Sequence, residues 1–260
     1  MLPVRSFNYH ASAHALSGQL TRPENHLIQV QAGTALPSTG GQHASRVENF
    51  RYGGTVSFTA GHSHVSGSEK IEKNKTIHTT LATTAIEGLN ILDMVTADRI
   101  VTRLASSYES GDESRILVIG SRFENLRIAG CKIDVELHHE LALRLDTFAA
   151  VRKEYESNKD FRKMTDDPFE PRKLPAKVEA HEVVRCSLVK ELQPLKCPGI
   201  VSHGHCGHVL VVPEFGQIYL AEVQFEHGRK TLRMLRVELG SPNGGTLIVA
   251  EADSNGRPPG

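Results

Sequence analysis

The sequence predicts a mainly β protein, an antiparallel sandwich or barrel built from repeated bulged strand units and carrying one long helical insertion. Three observations lead there. A ten-residue stretch recurs within the chain, short alternating runs fill most of the remainder, and a single segment switches to helical spacing.

The recurring stretch is Ser45-Arg46-Val47-Glu48-Asn49-Phe50-Arg51-Tyr52-Gly53-Gly54, which reappears as Ser121-Arg122-Phe123-Glu124-Asn125-Leu126-Arg127-Ile128-Ala129-Gly130. A fainter copy runs from Ile86 to Ile91, and Leu232, Leu235 and Val237 repeat its apolar spacing. In each copy the apolar residues step by three before they step by two, whereas a plain strand alternates by two throughout. A β-bulge, which admits one extra residue, accounts for that slip. The residues at the slip are Asn49, Gly88 and Asn125, types that tolerate positive φ, while the last copy has Met234 there.

Further alternating runs include Asp98 to Leu104, Arg115 to Ile119, His208 to Val212, Gln217 to Ala221 and Thr246 to Val249, separated by turn clusters such as Ser110-Gly111-Asp112 and Ser241 to Gly245. Short strands at this spacing suit a sandwich or barrel. The uneven distances between units argue against a solenoid.

From Leu137 to about Asp160 the pattern changes. Leu141, Leu145, Phe148, Val151 and Tyr155 recur at helical intervals and predict a surface helix. Its continuation through Arg162, Lys163, Asp166, Asp167, Glu170, Arg172 and Lys173, punctuated by Pro168, Pro171 and Pro175, reads as an exposed linker or a docking arm. The expected organisation is one β-rich domain over residues 1–260 with residues 137–175 inserted in it, so that deleting residues 152–173 should leave the β part folded.

Composition narrows the function classes. Lys plus Arg and Asp plus Glu number 30 each, so no global field steers the chain toward nucleic acid or an anionic membrane. The first twenty residues lack the apolar core of a secretory signal, and no stretch is long and apolar enough to span a bilayer, which makes the cytoplasm the default expectation. The cysteines Cys131, Cys186, Cys197 and Cys206 are too sparse for a disulfide framework and read as free thiols.

The densest cluster of chemistry-bearing residues is Cys197-Pro198-Gly199-Ile200-Val201-Ser202-His203-Gly204-His205-Cys206-Gly207-His208. Imidazole and thiolate are zinc-binding groups, and His203 and His205 would share a face if the segment were extended, so Cys197, His203, His205, Cys206 and His208 are the candidate metal ligands. A glycine-rich hairpin that contains histidines without binding metal is the other reading. His62, His64, His138 and His139 are further imidazoles of the same kind. Arg46, Glu48 and Arg51, matched by Arg122, Glu124 and Arg127, suit either cross-strand ion pairs or a duplicated binding site. The chain lacks a phosphate-binding glycine loop, a Gly-x-Ser-x-Gly elbow and a His-Glu-x-x-His pair, so no catalytic residues are assigned and a non-enzyme is favoured.

The segments Ile91 to Asp98, Gly120 to Gly130 and Val212 to Glu222 resemble strands of the choice-of-anchor bacterial proteins, over residues 80 to 135 and 208 to 252. The resemblance implies a β-rich fold that is often exported or surface-associated, and it supplies no activity or site residues. Together these readings predict a non-catalytic structural or interaction protein that self-associates without a required cofactor. The alternative is a zinc-dependent binding protein or enzyme built on the His203–His208 cluster.

Overall fold

The structure is a computed structural model that describes residues 7–73, 75–109, 113–169, 175–193 and 197–255. The turn expected at Ser110 to Asp112 and the linker residues from Glu170 to Lys173 lie outside them. The N-terminal half holds β1 (Ala11–Leu20), β2 (His26–Gln31), β3 (Thr34–Ala35), β4 (Gly41–Tyr52), β5 (Val56–Glu72), β6 (Lys75–Ile91) and β7 (Val95–Glu109). Short pieces follow: β8 (Arg115–Val118), β9 (Arg122–Glu124), β10 (Arg127–Ile128), β11 (Cys131–Lys132) and β12 (Asp134–Leu137). Then come helices α1 (His139–Arg144), α2 (Phe148–Ser157) and α3 (Lys159–Met164). The remainder is β13 (Val184–Ser187), β14 (Val189–Gln193), β15 (Val201–His203), a 3-10 turn (His205–Gly207), β16 (Val209–Val212), β17 (Gly216–Glu226), β18 (Arg229–Leu239) and β19 (Gly245–Ser254).

Among the described residues these strands form two large antiparallel sheets and one small one. The nine-stranded sheet runs β15-β16-β17-β18-β19-β1-β2, with β13 beside β17 and β3 beside β1. The eight-stranded sheet runs β11-β10-β7-β6-β5-β4, with β8 and β9 beside β7. Neither path closes on itself, so the architecture is not a barrel. Strands β1, β18 and β19 lie against β5, β6 and β7, and one apolar core fills the space between them. Polar groups inside that space are satisfied across it: Thr80 Oγ1 and Ser254 Oγ are 2.8 Å apart, and the Thr102 hydroxyl donates to the Ala250 carbonyl.

The three-residue step has a different cause from the one expected. Asn49, Gly88 and Asn125 do adopt positive φ, at 51°, 61° and 50°. No extra residue enters the strands there, however: Glu48 pairs with Ala60 and Phe50 with Phe58, and Glu87 pairs with Arg99 and Leu89 with Ala97, so the register is unchanged on either side. It is unchanged because the neighbouring strands slip at the same place, Phe58 and Gly61 in β5 and Ala97 and Ile100 in β7 both being buried. Asn49, Thr59, Gly88, Asp98 and Asn125 therefore form one transverse row, a crease across the whole sheet. Side chains bind across it, with Thr59 Oγ1 donating to the Glu87 carbonyl at 2.8 Å and Asn125 Nδ2 to Asp98 Oδ2 at 2.6 Å. The nine-stranded sheet carries a second crease through Ala15, Ala250, Met234 and Ala221, with positive φ at Ala250 and Ala221. In both sheets positive φ falls on every second strand, which is why Met234 has the spacing without the conformation.

The single long helix is three short ones. Each break is a helix start whose side chain accepts a backbone N–H: His138 from Leu141, Thr147 from Ala150, and Asn158 from Asp160 and Phe161. The Glu113 carboxylate also accepts from the Phe148 and Ala149 amides at 2.7 and 3.1 Å, a favourable charge at the start of α2. The apolar stripe is buried through Tyr155 as its spacing predicts, but burial continues at Phe161 and Met164, where the chain was expected to pass into an exposed linker. Tyr155, Phe161 and Met164 thus contribute to the core, and deleting residues 152–173 should unfold the protein. Lys230 of β18 secures this region: its Nζ, almost wholly buried, donates to the carbonyls of Leu145 (2.7 Å) and Ile116. Burial pushes its pKa down to about 7, against the opposing pull of Asp146, Cys186 and Glu113.

Candidate functional site

The five candidate ligands do not meet. Cys197 is bonded to Cys131 in a disulfide, with Cα atoms 6.3 Å apart, so both sulfurs are engaged where free thiols were expected. His203 stands at the exposed end of β15, its ring edge-on to Phe169 at 5.2 Å. The chain then stops being extended, because Gly204 (φ 77°, ψ −178°) leads into the 3-10 turn and Cys206 takes φ 56°. His205 consequently leaves the face that His203 occupies. Cys206 is a free, exposed thiol. His208 is buried, and its Nδ1 and the His205 carbonyl oxygen are 2.8 Å apart, a contact that requires Nδ1 to donate. Among the described residues no group of three or more His, Cys, Asp or Glu side chains could hold a metal ion. The segment is a hairpin, β15 pairing with β16 from Val201–Val211 to His203–Val209. His62 and His64 sit on β5, while His138 and His139 begin α1.

What the sequence did not disclose is where His208 points. It lines a cavity of about 80 Å³ between the end of α3 and the nine-stranded sheet, together with Thr165, Asp167, Cys186, Glu222 and Arg236. Arg236 dominates this site. Its Nε and Nη2 donate to the two Glu222 oxygens at 2.7 and 2.8 Å, and its Nη1 donates to Glu238 at 2.7 Å. The guanidinium lies 3.6 Å from the centre of the Tyr219 ring, and Asp167 approaches it at 4.0 Å. Burial alone would lower the Arg236 pKa, but the hydrogen bonds and charges of Glu222 and Glu238 outweigh it and hold the group protonated. Burial lowers the pKa of His208, keeping it neutral near pH 7, so with Nδ1 protonated its Nε2 carries the lone pair. Burial pushes the Cys186 thiol up to about 12, so it supplies no thiolate near neutral pH. The charges of this site are spent on one another, an arrangement suited to pinning the end of α3 onto β17 and β18. Its members come from α3, β13, β17, β18 and the adjoining loops, so no local motif could have revealed the site as a whole.

The charged pairs singled out in the recurring stretch share one sheet face. Arg46 and Arg122 fall on one transverse row, through His62, Ala85 and Val101, and Glu48 and Glu124 fall on the next, through Ala60, Glu87 and Arg99. Each arginine meets a glutamate: Arg46 with Glu48, Arg99 with Glu87 at 3.5 Å, and Arg122 with Glu124 at 2.7 Å. All are well exposed, so each pair is worth only about 0.2 to 1 kcal/mol. The broad groove above them, about 610 Å³, is lined by compensated charge.

The edges of the sheets differ more than their faces. At one end the disulfide joins β11, the last strand of the eight-stranded sheet, to the residues that lead into β15, the last strand of the nine-stranded sheet. At the other end β4 closes the sheet order, and among the described residues no strand pairs with its outer side. Most of its side chains are exposed, from Gly41 through Ala44 and at Arg46, Glu48, Asn49 and Arg51. No helix of the described residues is long and apolar enough to cross a membrane.

No curated protein and no solved structure matches the chain. A family model does, over residues 7–226, which takes in the crease through Asn49, Gly88 and Asn125, the three helices and the hairpin that leads to His208: the chain belongs to DUF8256, a domain of unknown function.

Proposed function

We propose that this chain is a non-catalytic interaction protein that associates with copies of itself, two stacked sheets forming a sandwich whose uncovered end supplies the contact. The observation that carries the reading is β4. A twelve-residue strand at the end of a sheet presents a row of backbone donors and acceptors, and pairing with another chain is a common way to satisfy them. The equal numbers of acidic and basic residues remove the long-range repulsion that would oppose such contact. The self-compensated Arg236 site supports a scaffold role over catalysis. The resemblance to choice-of-anchor bacterial proteins and the Cys131–Cys197 disulfide both favour an exported or surface location, since disulfides persist in oxidising compartments.

Mass photometry and sedimentation of the full chain test this, before and after chelation with EDTA. The expected result is an oligomer unchanged by the chelator. Proline placed singly at Arg46 and at Val47 then locates the contact, because successive N–H groups of a strand point to opposite sides. One variant should dissociate the oligomer with its melting temperature kept, and the other should lose stability through its bond to β5. A monomer at all concentrations would end the self-association reading, and dissociation on chelation would shift the weight to a metal at the His203–His208 turn.

A further inference from the structure

The disulfide at the joined end has a free thiol beside it. Cys197 and Cys206 line one cavity of about 370 Å³, with Ile133, Leu192 and Leu210 among its other walls. They flank the short strand β15, whose residues are all exposed, and the turn that carries Cys206 contains Gly204 and Gly207, both at positive φ. Cys131 and Cys197 are 66 residues apart, whereas Cys197 and Cys206 are close in sequence on either side of one hairpin strand.

We propose that Cys206 is the attacking thiol of an internal thiol–disulfide exchange site, with Cys197 as the sulfur shared between two alternative bonds. Cys206 gives its proton to solvent, and its thiolate attacks Cys197 Sγ. The Cys197–Cys206 bond forms as the Cys131–Cys197 bond breaks, and Cys131 leaves as a thiolate that takes up a proton. One thiol and one disulfide become one thiol and one disulfide, and the proton that Cys206 loses is matched by the one that Cys131 gains, so no oxidant or reductant is consumed. The outcome is structural: the first bond ties the two sheets together, and the second confines the link to the β15 hairpin.

Disulfide mapping of the purified full chain tests this, with incubation at pH 9 to supply thiolate, an acid quench and iodoacetamide labelling before digestion. The expected result is a Cys197–Cys206 peptide that grows with time while Cys131 becomes labelled, at any protein concentration. Cys206→Ser should keep Cys131 unlabelled throughout. Should that variant fail to fold, the wild-type map decides alone. An intact Cys131–Cys197 bond with label confined to Cys206 after a day would overturn the proposal. So would a Cys206–Cys206 link between chains, or equal labelling of Cys131 in the serine variant. The readout is independent of oligomeric state, so it stands or falls separately from the self-association reading.

Discussion

The two ends of the stacked sheets handle their edges in opposite ways. Where β11 and β15 finish, a disulfide joins the sheets, the small β12–β14 sheet lies nearby, and the helices cover the adjoining face. Where β4 finishes, the contacts with β2 and β3 are non-covalent, and the strand carries exposed polar and charged residues. An edge can be hidden by covering it or kept from unwanted pairing by charging it. Among the described residues the β11–β15 end follows the first course and the β4 end the second.

Changes on the covered side should cost most. Arg236→Met leaves Glu222 and Glu238 without their shared cation in a largely buried site, and a loss of about 3 to 5 kcal/mol is expected. Chemical denaturation followed by circular dichroism measures it, and a change below about 1 kcal/mol would mean that the site is wetter than it looks. Cys131→Ser should cost about 2 to 4 kcal/mol, because it frees a long loop in the unfolded chain. The same loss should follow reduction of the wild type, and a reductant-insensitive melting temperature would remove the closure on which the comparison rests.

Lys230 sharpens the comparison through pH. Its folded pKa is depressed to about 7 from an ordinary 10.5, so above pH 7 the unfolded chain binds more protons than the folded one. Stability should therefore rise between pH 7 and pH 9, by roughly 2 kcal/mol from this group. The gain is absent below pH 7, where Lys230 is protonated in both states. Lys230→Met should flatten the rise; equal slopes in the two proteins would show that the buried amine is not its source.

Gly88→Val tests the crease. At φ 61° a branched residue is strained, and its Cβ would lie 2.6 Å from Thr59 Oγ1, so a loss of about 1 to 3 kcal/mol is expected on heating. The smallest effect belongs to the uncovered end. Arg46→Ala should change the stability of the isolated chain by under about 1 kcal/mol, since the Arg46–Glu48 pair is exposed. A larger loss at high protein concentration alone would locate that residue in an interface.

How much of this the sequence carried depends on where the cause resides. Asn49, Gly88 and Asn125 were legible because their types tolerate positive φ, whereas Ala221 and Ala250 adopt it with no such preference and pass unnoticed. The caps Thr147 and Asn158 are good helix starters standing inside a continuous apolar stripe, and the stripe concealed them. Mixed charge beyond Tyr155 suggested solvent, yet Phe161 and Met164 turn inward between those charges. The Cys131–Cys197 pairing joins segments far apart in the chain, and the Arg236 site draws Asp167, Cys186 and His208 from outside the β17–β18 hairpin, so spacing along the chain carries no trace of either meeting. The charges of the recurring stretch do pair, but Arg46 with Glu48 and Arg122 with Glu124 bond along a single strand where cross-strand pairs were expected, because residues two apart share a face of the same strand.

The alternation of positive φ along the crease also constrains how such a sheet can grow. A strand of the Asn49 kind is followed by one of the Thr59 kind, so adding a single strand would place two of the same kind side by side. Hairpins are the natural increment. For β4 the same arithmetic limits its choice of neighbour: two copies of it paired through Asn49 would repeat a conformation that the sheet otherwise never sets next to itself. A second copy that paired with this edge would thus be confined to the portion from Gly41 to Glu48, roughly 27 Å of edge at 3.4 Å per residue, or would have to offer a different strand.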